Sequence, residues 1–176
     1  VAAAFEFCIL SASRAGEVLG ATWREIDRRK GLWILSASRM KARRPHTSPT
    51  TIRMCEILDM VAPLRAGPGS LVFPGNAKGP ISSKAFERVL DVMGYKTATA
   101  HGTARSGFRD WVGDFGHSRE VAEAQLAHAV GDATERAYRR GEAIELRREL
   151  LNEWERFLVG GSKKRKIAAC KGKEDA

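Results

Sequence analysis

Tyrosine is almost missing from this chain: its 176 residues contain two, Tyr95 and Tyr138. Cysteine is nearly as scarce. Cys8, Cys55 and Cys170 are odd in number, far apart and form no CxxC or Cys/His cluster. That pattern offers no zinc site and no spacing from which a disulfide framework could be read, so a reducing cytoplasm is expected. No apolar stretch approaches the roughly 20 residues of a membrane helix, and no secretory leader is expected in the opening Val1-Ala2-Ala3-Ala4-Phe5. Acidic residues are in deficit, with 21 Asp and Glu against 30 Lys and Arg, a formal net charge of +9. The imbalance points to a polyanionic partner, nucleic acid first. Carboxylates are nowhere clustered, so neither a metal nor any other cofactor is expected.

What is present suffices for one domain. A hydrophobic content of 43% is that of an ordinary globular protein with a real core. Residues 1–160 are expected to fold. Residues 161–176, with Lys163-Lys164-Arg165-Lys166, read as a basic, disordered tail. The chain opens on Val1 inside an apparent helix, so a fragment of a longer protein is expected.

The pattern along the chain predicts a mainly α protein with a small antiparallel sheet near its front, an α+β class. Residues 1–12 read as a helix and Ser13 as the N-cap of a second, Arg14 to Thr22. A strand is predicted from Leu32 to Met40, a turn at Lys41–Pro45, and a return along His46-Thr47-Ser48. Met54, Ile57, Leu58 and Val61 fall on one helix face; so do Phe86, Val89, Leu90 and Met93, and again Phe108, Trp111, Val112 and Phe115. Leu71 to Gly75 is a short extended piece. Val121 to Leu126 and a long helix through Ile144, Leu151, Trp154 and Leu158 complete the chain.

Chemistry is expected of a few polar residues. Tyr138 stands among Arg136, Arg139 and Arg140; a lone phenol among cations suits attack on a phosphate, and the cations lower the cost of a phenolate. Arg14 and Arg105 are placed by the pattern in first turns of helices, where a cation opposes the helix dipole and makes sense beside a bound anion. Lys41 lies at the tip of the hairpin, where a lysine can swing in to deliver a proton. His101 and His128 can hydrogen-bond a phosphate oxygen, whereas His46 and His117 have no supporting context. Each feature alone also has a plain reading as a solvated or packing residue.

Their order is more telling than any one of them. Ser13-Arg14-Ala15-Gly16-Glu17-Val18, Arg39-Met40-Lys41 with Arg44-Pro45-His46, Leu71-Val72-Phe73-Pro74, His101 through Trp111, and Leu126-Ala127-His128 leading to Tyr138-Arg139-Arg140-Gly141 follow one another as successive boxes. In this the chain resembles the catalytic domain of the tyrosine recombinases, nearest to phage and genomic-island integrases, over about residues 1–158. One departure stands out. The family has His-x-x-Arg where this chain has His101-Gly102-Thr103-Ala104-Arg105, one residue more. Offsets of three and four share a helix face, so both side chains are expected to converge.

The resemblance implies the fold of DNA breaking–rejoining enzymes and metal-free site-specific recombination through a 3′-phosphotyrosine. Tyr138 would be the nucleophile, with Arg14, Lys41, His101, Arg105 and His128 as the other catalytic residues. Arg39, Arg43, Arg44, Arg109, Arg139 and Arg140 would contact DNA. The partners implied are double-stranded att-type DNA and, in the full-length protein, a homotetramer; the core-binding and arm-binding domains are expected to fall outside this stretch, and this fragment alone is expected to be monomeric, cytoplasmic and associated with the nucleoid. Two alternatives are a DNA-binding regulator that keeps the fold without cleavage and a type IB topoisomerase-like relaxing enzyme. A plain helical protein–protein module would leave the arginines, Lys41 and Tyr138 unexplained.

Overall fold

The computed structural model describes residues 1–76, 79–82, 84–128 and 142–160. Helix α1 (Ala2–Leu10) is apolar on nearly every side, and Phe5, Phe7, Cys8 and Leu10 are all buried. A helix of that kind belongs in the middle of a molecule. It ends at Ser11-Ala12-Ser13, where Ala12 takes a positive φ of 50°. Helix α2 (Ala15–Leu19) follows at once and is shorter than predicted. Its N-cap is Arg14 rather than Ser13: the Arg14 backbone N–H donates to Glu17 Oε2 at 2.9 Å. A glutamate at the third helical position satisfies that orphan donor.

The sheet has three antiparallel strands in the order β1 (Ile26–Asp27), β2 (Leu32–Leu35), β3 (His46–Pro49), with Trp33 opposite both Ile26 and Ser48. Strand β2 stops at Leu35, five residues before the predicted Met40. From Ala37 to Arg39 the chain makes a 3₁₀ turn, because the Arg39 guanidinium is drawn inward to Glu25 and donates to the Glu17 carbonyl at 2.6 Å. An extended strand would carry it away from both.

Helix α3 (Ile52–Val61) is capped by Thr51, and Met54, Ile57, Leu58 and Val61 are all buried, as the periodicity predicts. The extended piece forms an isolated bridge, Leu71 to Thr22, and buries Val72 and Phe73. Helix α4 (Ala85–Val92) buries Phe86 and Leu90, while Met93 lies past its end and is exposed. A helical stretch begins at Ala100 and runs into α5 (Gly107–Asp114), with a π turn over Gly102–Ser106 between. Helix α6 (Arg119–Gln125), capped by Ser118, and the long α7 (Glu142–Leu158) complete the described elements.

Two apolar clusters form the core. One gathers α1, the sheet, α3 and α4 around Phe7, Trp33, Met54 and Phe86; the other gathers α5, α6 and α7 around Phe108, Trp111, Leu126 and Trp154. Ile9 of α1 packs against both, and its carbonyl accepts from Trp154 Nε1 at 2.9 Å. Buried Arg147 ties α7 to the sheet through the Thr47 carbonyl at 2.8 Å. The chain is therefore helix-rich with a small antiparallel sheet. No helix among the described residues is long and apolar enough to cross a membrane.

Candidate active site

Buried backbone polar groups must be paired, and the tight loop between α1 and α2 leaves carbonyls facing the interior. The loop is held from beneath by Cys8, whose Sγ donates to the Ser13 carbonyl at 3.2 Å. Burial, and then the Glu17 carboxylate, push the Cys8 thiol up to about 12, so it stays protonated. Gln125 Nε2 donates to the Ser11 carbonyl at 3.0 Å and to Ser48 Oγ at 2.8 Å, joining the loop to α6 and β3. The left-handed turn at Ala12 presents its carbonyl to Arg105 Nη1 at 3.0 Å.

Arg105 is only 4% exposed. Its Nη2 donates to the Leu126 carbonyl at 2.8 Å and lies 2.9 Å from His128 Nε2. Burial and the neighbouring Arg14 guanidinium lower its pKa to about 10, opposed by Glu17, Cys8 and Glu123. It remains a cation at neutral pH. Arg14 is half-buried beside it, with Nη1 2.9 Å from Glu17 Oε1. Two arginines thus share one corner, each braced by protein acceptors, an arrangement that suits a dianionic oxygen pair.

His128 enters from the end of α6. Ala127 has a φ of 55°, and the His128 N–H reaches back to the Glu123 carbonyl at 2.9 Å. Its Nδ1 meets Glu123 Oε2, and Glu123 Oε1 lies 2.9 Å from Arg109 Nε. His46 opens β3 within the field of Arg147, Arg105 and Arg14. Burial first, then those cations, lower its pKa to about 4, so it is neutral under ordinary conditions.

The resulting cluster carries two guanidiniums and two imidazoles and is assembled from four separate chain segments. Residues 1–149 match the phage integrase family. This chain belongs to that family. It is 32% identical over 152 residues to prophage integrase IntA of Escherichia coli K12, covering 85% of this chain and 37% of that protein. It is 33% identical over 155 residues to prophage integrase IntZ of the same strain, covering 86% and 38%. With the integrase of Shigella phage Sf6 it shares 26% over 150 residues, covering 84% and 39%. The chain thus spans less than half the length of these relatives. No solved structure matches it.

In this integrase-family chain the structure brings Arg14, Arg105 and His128 together. Arg105 is not in a first turn, however: its helix starts at Ala100, and the side chain runs through the interior rather than toward a helix start. The dipole argument does not apply to it. His101 is exposed one turn earlier. The extra residue between the two is taken up by the π turn, whose Gly107 N–H reaches the Gly102 carbonyl. A π turn closes i→i+5 and so absorbs one residue without breaking the helix on either side.

Lys41, Arg43 and Arg44 are exposed on the turn between β2 and β3. Arg39, expected at the DNA, is instead committed inside the fold to Glu25 and the Glu17 carbonyl. Arg109, also expected at DNA, is half-exposed and paired with Glu123. Tyr138, Arg139 and Arg140 lie outside the described residues, as does the 161–176 tail. Sequence reasoning missed Glu123 and left His46 without a role. Glu123 precedes His128 by five residues, a spacing that no single helix face pairs.

Proposed function

We propose that this chain is the catalytic domain of a site-specific recombinase, on the fold of DNA breaking–rejoining enzymes, spanning residues 1–160 with a basic tail beyond. The observation that carries this reading is the buried Arg105, braced by the Ala12 and Leu126 carbonyls beside Arg14 and His128. Holding a guanidinium in the interior costs desolvation, and a preorganised cation is what a pentavalent phosphorane demands.

In this reading Tyr138 Oη bonds to a DNA phosphorus as the P–O5′ bond breaks, leaving a 3′-phosphotyrosine and a 5′ hydroxyl. Arg14 and Arg105 neutralise the non-bridging oxygens, and His128 is a further hydrogen-bond partner. Lys41 protonates the departing 5′ oxygen, and His101 assists as acid/base or hydrogen-bond partner. Attack by a 5′ hydroxyl from a partner duplex reverses the step, with no cofactor required. That these relatives are prophage integrases and the integrase of a Shigella phage favours duplex att-type DNA in a bacterial cytoplasm as substrate and setting. Arg43 and Arg44 on the exposed turn, with Arg139 and Arg140, are the DNA contacts. The full-length protein acts as a tetramer on two duplexes.

The test is incubation with nicked att-like duplexes and a denaturing gel. A covalent adduct that disappears in Tyr138→Phe is expected. An adduct that persists in Tyr138→Phe removes the nucleophile assignment. No adduct on any site supports a binding-only regulator, and site-independent relaxation of supercoiled DNA supports the topoisomerase-like alternative.

A further inference from the structure

Two features near the pocket have no part in the reaction above: a carboxylate, Glu123, and the cation paired with it, Arg109. Glu123 occupies the last turn of α6, whose end closes in a Schellman arrangement. The Ala127 N–H bonds to the Ala124 carbonyl at 3.2 Å, the His128 N–H to the Glu123 carbonyl at 2.9 Å, and Ala127 takes the left-handed φ between them. This motif turns the chain back over its own helix, which lays the His128 ring against the Glu123 side chain. Glu123 therefore holds His128 twice, by its carbonyl and by its carboxylate.

The two ends of the imidazole are read by neighbours of opposite kind. Arg105 Nη2 lies 2.9 Å from Nε2, and a guanidinium can only donate. Nε2 must then be the acceptor and the ring proton must sit on Nδ1. There the Glu123 carboxylate, which can only accept when ionised, meets it. Glu123 is itself confined: its side chain is 13% exposed, and its other oxygen, which makes no hydrogen bond among the described residues, is ion-paired with Arg109 Nε at 2.9 Å.

We infer that Glu123 is a positioning residue, held by Arg109, that locks His128 as the Nδ1–H tautomer with Nε2 facing Arg105. This rests on the pocket being the recombinase active site. Without DNA His128 thus faces Arg105 with a bare Nε2, and it donates to a non-bridging oxygen only once Nε2 carries a proton, with Glu123 beside it to balance the imidazolium. Arg109 gains a role within the protein in place of a contact to DNA.

The test is a long-range ¹H–¹⁵N correlation of the imidazoles in the ¹⁵N-labelled 176-residue chain at pH 7.5 without DNA, with His128→Gln to assign the resonance. Wild type is expected to show a protonated Nδ1 and a bare Nε2, and Glu123→Ala an averaged mixture of tautomers. Should Glu123→Ala not fold, Glu123→Met keeps the length and helix propensity and is read the same way. An Nε2–H or doubly protonated ring in wild type, or a pattern unmoved by loss of the carboxylate, overturns the inference. In cleavage assays Glu123→Ala is expected to slow adduct formation about 10- to 100-fold, by analogy with the partners that orient metal-bound imidazoles, with DNA affinity unchanged. A loss confined to affinity overturns it. If wild type cleaves no DNA, the recombinase reading falls, and the nitrogen pattern still decides the role of Glu123.

Discussion

Arg105 joins two parts of the site, the α1–α2 loop through the Ala12 carbonyl and the end of α6 through the Leu126 carbonyl and His128. Arg105→Lys supplies one terminal nitrogen where two directed ones are used, so a buried carbonyl loses its partner. Chemical denaturation is expected to show a loss of about 1–3 kcal/mol, and cleavage a loss of roughly 100-fold or more. His46 makes a prediction about pH. Its folded value near 4 lies below its ordinary 6.5, so between those values the unfolded chain binds a proton that the folded one refuses. The stability it contributes is present above pH 6.5 and drains away as pH falls toward 4. The melting temperature of wild type should therefore fall more steeply over that window than that of His46→Gln, whose amide does not titrate; parallel curves would contradict the placement of His46. Residue types were legible in the sequence here better than their reasons. The helix-dipole argument gives Arg105 a reason that the fold does not share, since Arg105 is buried and outside any first turn. Glu123 was not legible, because its partnership with His128 depends on a left-handed residue that is alanine rather than the usual glycine.

At the scale of elements, the stripe of α3 was read correctly because all four apolar residues lie between the helix ends. The stripes of α4 and α5 each overran by one residue. Met93 and Phe115 keep the spacing but lie beyond the helices, next to Gly94 at φ 88° and Gly116 at φ 70°. The β2 boundary was missed for a tertiary reason, the pull of Glu25 on Arg39. That pull crowds Gly20: a Cβ there would lie 2.8 Å from Arg39 Nη2, which would have to shift from the Glu17 carbonyl. Gly20→Ala is expected to cost about 1 kcal/mol by overpacking, read as a lower denaturation midpoint. The π turn gives a paired prediction. Deleting Thr103, before Arg105, should convert the turn to an α turn and leave Arg105 in register with α5, so melting is little changed and cleavage persists. Deleting Ser106, after it, should rotate Arg105 out of the pocket and abolish adduct formation. Equal effects of the two deletions would contradict the role given to the turn.

At the scale of the molecule, α1 lies between two apolar clusters and its following loop supplies Arg14 and the carbonyl that seats Arg105. The pocket therefore sits where the two halves of the core meet. Fold class was legible from periodicity and composition. The convergence of segments far apart in sequence was legible only through the order of the boxes, since local pattern carries no information about which loops meet. With a net charge of +9, DNA affinity should fall more than about tenfold between roughly 50 and 200 mM salt, as phosphate contacts release counterions. Affinity that ignores salt would remove the electrostatic basis of binding. The attacking oxygen is decided by proteolysis of the covalent protein–DNA complex and mass spectrometry of the nucleotide-bearing peptide. With only two tyrosines in the chain, the outcomes are distinct. The nucleotide is predicted on the peptide containing Tyr138; its appearance on exposed Tyr95, or on a residue other than tyrosine, would contradict the mechanism.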